Sequence, residues 1–183
     1  MGDDMRCFII PGLNGSGPEH WQSRWEAEYG YERVQQERWD TPNFPAWKGR
    51  MVAALHNSGS HNVLVAHSLG TMLVAKAMPD IARFVAALFM VAPPDPAILP
   101  ALAPSFADPP FTSLGAPGVL VYSEDDEYCP PDRARELADA WALEAVDVGR
   151  RGHINALSDL GLWDEGHALL RRLVEGVKGG KGA

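Results

Sequence analysis

Residues 63–74 read VLVAHSLGTMLV. Strand-forming apolar residues run up to His67 and Ser68, and from Gly70 an apolar stretch continues without a breaker until Pro79. A buried strand that passes directly into a helix, with a serine at the junction and small residues two before and two after it, fits the nucleophile-elbow pattern G-x-S-x-G. There a strained turn lifts the serine oxygen above the sheet, and the small flanking residues let strand and helix approach closely. Ala66 replaces the first glycine and Gly70 supplies the second. A serine that only caps the helix would explain Ser68 but not its small neighbours.

The pattern continues outward from this junction. RCFIIP (6–11), NVLVAH (62–67), RFVAALFMVAPP (83–94), APGVLVYSEDD (116–126) and LEAVDVG (143–149) read as strands, and YERVQQ (31–36) as a weaker one. Helix-sized segments lie between them at 18–30, 44–59, 68–78, 131–142 and 161–177. In the second of these, Trp47, Met51, Ala54 and Leu55 share a face. Alternating strands and helices predict an α/β domain of about six mostly parallel strands with helices on both faces. Chemistry is then expected in the loops after the carboxyl ends of the strands. Residues 92–117 hold eight prolines and are expected to be irregular, either walling a pocket or forming a plain surface excursion. Residues 1–177 read as one domain and 178–183 as a disordered tail.

Composition narrows the function. The 183 residues are 46% hydrophobic and 22% charged, with 16 basic and 24 acidic residues and a net charge of −8. An acidic chain without a basic cluster argues against nucleic-acid binding; Arg150-Arg151 and Arg171-Arg172 read as solvated. No segment approaches membrane-spanning length, and MGDDMRCFII lacks the form of a signal peptide. Cys7 and Cys129 are expected as reduced thiols of a cytoplasmic protein. The six histidines show no metal-ligand spacing with them.

An elbow serine needs a base, then an acid that orients the base, in the order Ser, acid, His. Only His153 and His167 follow Ser68. His167 falls inside the last helix. His153 follows the sixth strand in GRRGHINAL, where a base must hang. The acid is expected after the fifth strand, where Glu124, Asp125, Asp126 and Glu127 stand together; order alone leaves Asp125 and Asp126 open. Backbone donors for an oxyanion are expected at Leu69, after the serine, and at Leu13 in the glycine loop after the first strand. Asn14 is the second choice there and a candidate substrate-binding residue. That loop runs G-x-x-G-x-G, not the G-x-G-x-x-G of a dinucleotide cradle.

PGLNGSGPEHW, AHSLG, SEDDEYCP and GHINALSDLGLWDEG together resemble the small serine hydrolases related to retinoblastoma-binding protein 9, over residues 6 to about 175. The resemblance implies a compact α/β-hydrolase fold without a lid domain. It implies Ser68 as nucleophile and His153 as base. Its acid motif, S-x-x-D-P-[YW], lays Ser123 on the serine and Asp126 on the aspartate, with Glu127 in place of proline. The L-x-C-x-E motif behind the family name is missing around both cysteines. His20 and Trp21 match first-helix residues of the family; a packing role is expected for Trp21, and His67 is expected to shape the elbow. The function expected is cleavage of a small-molecule acyl ester or related acyl bond through an acyl-enzyme, with no cofactor, metal, nucleic acid or membrane partner. A non-catalytic protein-binding module on the same scaffold is the alternative.

Overall fold

The computed structural model describes residues 5–180. The first four residues, part of the amino-terminal reading, and the last three, part of the expected tail, lie outside it. Six strands form one parallel sheet: β1 (Arg6–Ile10), β2 (Glu32–Arg33), β3 (Asn62–His67), β4 (Val85–Val91), β5 (Gly118–Tyr122) and β6 (Glu144–Asp147), in the order β2-β1-β3-β4-β5-β6. β2 is only two residues long because its segment is polar and sits at the edge.

Alternation along each strand divides the core. Leu64 and Ala66 of β3 point to one face and Val63 and Val65 to the other. The first face is covered by α2 (Phe44–His56), α3 (Leu69–Ile81) and α5 (Pro131–Trp141); the second by α1 (Trp21–Tyr29) and α6 (Asp164–Gly180). α3 is buried along most of its length, so it is the central helix and its amino-terminus is held firmly. It runs two residues past Pro79, because proline in the last turn removes only one ladder bond.

Two expectations are corrected. α6 continues through Lys178, Gly179 and Gly180, so the tail does not begin at residue 178; glycine weakens a helix by about 1 kcal/mol per residue and does not by itself end one. The Pro-rich segment is also more ordered than an open excursion. It folds into the short helix α4 (Leu99–Leu102) between two 3₁₀ turns, Pro96–Ile98 and Pro104–Phe106. Leu99, Ala103 and Phe106 are buried against the α2–α3 face.

The chain leaves β1 toward the edge strand β2 and returns to build β3 on the other side. The carboxyl ends of β1 and β3 are therefore a topological switch point, where a crevice forms in an open parallel sheet. The glycine loop 11–17 and Ser68 both lie there.

Candidate active site

Ser68 joins β3 to α3 with φ 52° and ψ −126°. Such a backbone costs a non-glycine residue about 1–3 kcal/mol and persists only where packing enforces it. Gly70 shows the enforcement: a Cβ there would lie 2.2 Å from the Ile10 carbonyl oxygen. The methyl of Ala66, by contrast, is fully buried in the core without disrupting the strand. Gly12 closes the arrangement from β1, since a Cβ on it would lie 2.9 Å from the Leu69 nitrogen.

The three side chains expected from three separate loops meet here. Ser68 Oγ lies 2.8 Å from His153 Nε2, and His153 Nδ1 lies 2.9 Å from both carboxylate oxygens of Asp126. An ionised carboxylate only accepts, so the ring proton sits on Nδ1 and Nε2 presents its lone pair to the serine hydroxyl. The Asp126 side chain is 2% exposed and that of His153 8%. The Tyr128 backbone N–H donates to Asp126 Oδ1 at 2.9 Å, fixing the carboxylate, and the Tyr128 ring packs 4.5 Å from the His153 ring.

Asp125 does something different. Its Oδ1 accepts from the Gly152 N–H and from the Ser123 hydroxyl, each at 2.8 Å, and Ser123 Oγ accepts from the Arg151 N–H at 2.9 Å. These bonds, Gly152 first, hold the Asp125 carboxyl below its ordinary range. Asp125 thus ties the loop after β5 to the loop that carries His153, and Asp126 faces the ring.

The first N–H groups of α3 have no partner within the helix, and the Leu69 nitrogen lies beside Gly12. The Asn14 N–H donates to the Trp39 carbonyl at 3.0 Å. The Asn14 side chain lines the cleft. The cleft holds about 290 Å³; beside the residues already named, Pro94 and Leu102 of the Pro-rich segment and the highly exposed Leu157 wall it.

Two histidines behind the serine complete the surroundings. His20 caps α1, its Nδ1 accepting from the Gln22 N–H at 3.1 Å. Burial, then the Arg33 and His153 charges, pushes it down to about 3. His67 Nε2–H donates to the His153 carbonyl at 2.9 Å; burial, followed by His20 and His153, holds it well below the ordinary histidine value. Both are neutral. His167 lies elsewhere, stacked on Tyr29 at 3.9 Å and bonded to the Tyr31 hydroxyl. Burial pushes Cys129 up to about 12 and Cys7 up to about 11, so neither competes as a nucleophile. Among the described residues no group of three or more His, Cys, Asp or Glu side chains converges as metal ligands would. None of their helices is long and apolar enough to cross a membrane.

The positions of Trp21 and His67 relative to the His153 loop were not legible in the sequence. Trp21 Nε1–H donates to the Ile154 carbonyl at 2.8 Å across 133 residues. The pair HW in PGLNGSGPEHW was the only signal.

The comparisons with known proteins bear on the family and the fold. The serine hydrolase family pattern matches residues 7–172. No protein with a curated description matches the sequence. A solved structure described as that of a YdeN-like hydrolase from Pectobacterium atrosepticum is similar at TM-score 0.87 and 28% identity, over 95% of this chain and 92% of that one. The ydeN product of B. subtilis is similar at TM-score 0.67 and 17% identity, over 96% and 98%. Est1E of Butyrivibrio proteoclasticus, solved with ferulic acid bound, is similar at TM-score 0.71 and 15% identity, over 94% and 89%. The last two likenesses speak for the fold, which is that of the α/β hydrolases.

Proposed function

The chain belongs to the serine hydrolase family, and from that premise we propose that it cleaves small acyl esters through Ser68, His153 and Asp126. The observation that carries this is the unbroken run of short contacts from hydroxyl to imidazole to carboxylate on a strained elbow. Ser68 attacks the acyl carbonyl while His153 Nε2 takes its proton. Asp126 keeps the proton on Nδ1 and stabilises the imidazolium. The Leu69 and Leu13 N–H groups receive the oxyanion. His153 then gives its proton to the leaving group, and water, activated by the same imidazole, releases the acid. No step calls for a metal or cofactor.

The size of the cleft supports small substrates: about 290 Å³ is at the low end for ligand pockets. Its apolar walls at Leu13, Pro94, Leu102 and Leu157 suit a short acyl chain, and Asn14 is the polar contact proposed for substrate. The four motifs support the finer kinship with the hydrolases related to retinoblastoma-binding protein 9. The net charge of −8 supports a small-molecule substrate over a nucleic-acid partner.

A fluorophosphonate probe tests the reading. Labelling of the wild type and its loss in Ser68→Ala is the expected result. A wild type that labels no better than Ser68→Ala would favour a binding module on the same scaffold. A panel of p-nitrophenyl esters of increasing chain length then reports the acyl preference.

A further inference from the structure

Ile154, next to the proposed base, has φ 47°. Left-handed backbone is a true outlier for a β-branched residue, and Ile154 is fully buried. Left alone, this peptide would relax toward negative φ and carry the His153 ring with it. Two buried donors from elsewhere in the chain oppose that. His67 Nε2–H holds the His153 carbonyl at 2.9 Å, and Trp21 Nε1–H holds the next carbonyl, that of Ile154, at 2.8 Å. The two rings pack edge to face, 6.0 Å apart, and are 4% and 1% exposed.

We propose that Trp21 and His67 are positioning residues for the base: by gripping consecutive carbonyls they keep Ile154 in its strained conformation, and so keep His153 aligned between Ser68 and Asp126. This extends the roles of packing for Trp21 and elbow shape for His67, and it rests on the reading of His153 as base. The grip acts only through the orientation of the imidazole, so its loss lowers turnover and leaves substrate binding alone. His67 also adjoins the nucleophile in sequence, so the same ring couples the elbow to the base loop.

A matched pair of tryptophans provides the test. Trp21→Phe keeps an aromatic side chain, smaller than the indole, and removes the donor. Trp25→Phe does the same to a neighbour 4.6 Å away whose indole N–H donates at 2.5 Å to the Leu162 carbonyl, farther along the same connection, past the 3₁₀ turn Ala156–Ser158 and not at His153 or Ile154. With a p-nitrophenyl ester, Trp21→Phe is expected to lower kcat about tenfold to a hundredfold, the scale of a small misplacement of a reacting group, with KM nearly unchanged. Trp25→Phe is expected to lose similar thermal stability and keep wild-type kcat. The proton NMR signal of His153 Nδ1–H is expected to move or broaden in the first variant only. His67→Gln, which retains a donor at the Nε2 position, is expected to keep most of the turnover that His67→Leu loses; this pair decides the matter if Trp21→Phe does not fold. Wild-type kcat in Trp21→Phe, equal kcat losses in the two tryptophan variants, or equal kcat in the two His67 variants would overturn the grip. Hydrolysis by Ser68→Ala at the wild-type rate would instead overturn the reading of the site.

Discussion

Gly70 and Ile10 touch so closely that a methyl group on Gly70 would lie 2.2 Å from the Ile10 carbonyl oxygen. The first turn of α3 and the end of β1 leave no room for a side chain between them. Gly70→Ala is therefore expected to destabilise the protein by about 3 kcal/mol, a fall in Tm of roughly 6–12 °C. Gly49 sits in α2, exposed, with nothing within 4 Å of the position its Cβ would take. Gly49→Ala should gain about 0.5–1 kcal/mol. Thermal melts of the two variants check both signs.

Ser68→Gly removes the hydroxyl and also the conformational penalty at φ 52°. Its hydrolysis should vanish while its stability rises by about 1 kcal/mol, toward the low end of the strain expected at such a position. Denaturant melts beside an esterase assay check this pairing. A variant no more stable than wild type would mean that the elbow is unstrained.

The two adjacent aspartates separate by their partners. Asp126→Asn disturbs the proton on His153 Nδ1 and should lower kcat by about 10⁴. Asp125→Ala removes the acceptor for Gly152 and Ser123 but leaves the ring its carboxylate, and should cost about tenfold through looser placement. Steady-state kinetics would reveal the reverse order if the acid were misassigned.

Buried His20 and His67 make the fold acid-sensitive. His20 titrates at about 3 when folded, against 6.5 for an unperturbed histidine, and His67 is also lowered. Between those values the unfolded chain binds protons that the folded chain refuses, so stability falls as pH drops below 6.5. The slope contributed by each group is at most about 1.4 kcal/mol per pH unit. His20→Asn keeps an acceptor for the Gln22 N–H and removes one titration. Urea melts from pH 5 to 6.5 should show a shallower decline in this variant than in the wild type.

The sequence reveals most where the signals are local. The elbow at 66–70, the strand NVLVAH and the order of Ser68, acid and His153 are short-range patterns, and β3 occupies the residues expected of it. The choice between Asp125 and Asp126 is not local: they are neighbours on one turn after β5, and only the placement of Gly152 and His153, 27 residues on, separates them. The bonds from Trp21 and His67 span 133 and 86 residues and leave no periodicity to read. The Pro-rich segment did carry a signal. Leu99, Ala103 and Phe106 are spaced by four and then three, a helical interval, but the density of proline pointed the other way. At the carboxyl end, Gly179 and Gly180 suggested a break, yet the helix before them carries its hydrogen-bond ladder through both.

Ser68 and His153 are 85 residues apart in the chain, and the base loop follows β6, an outermost strand of the sheet. During synthesis the amino-terminal half can pair β1 with β3 and display the elbow long before residue 153 leaves the ribosome. Such a nascent chain would hold a serine without a partner to activate it. Turnover would then begin only after the carboxyl-terminal strand docks, so in a refolding experiment recovery of esterase activity should trail recovery of helical circular dichroism.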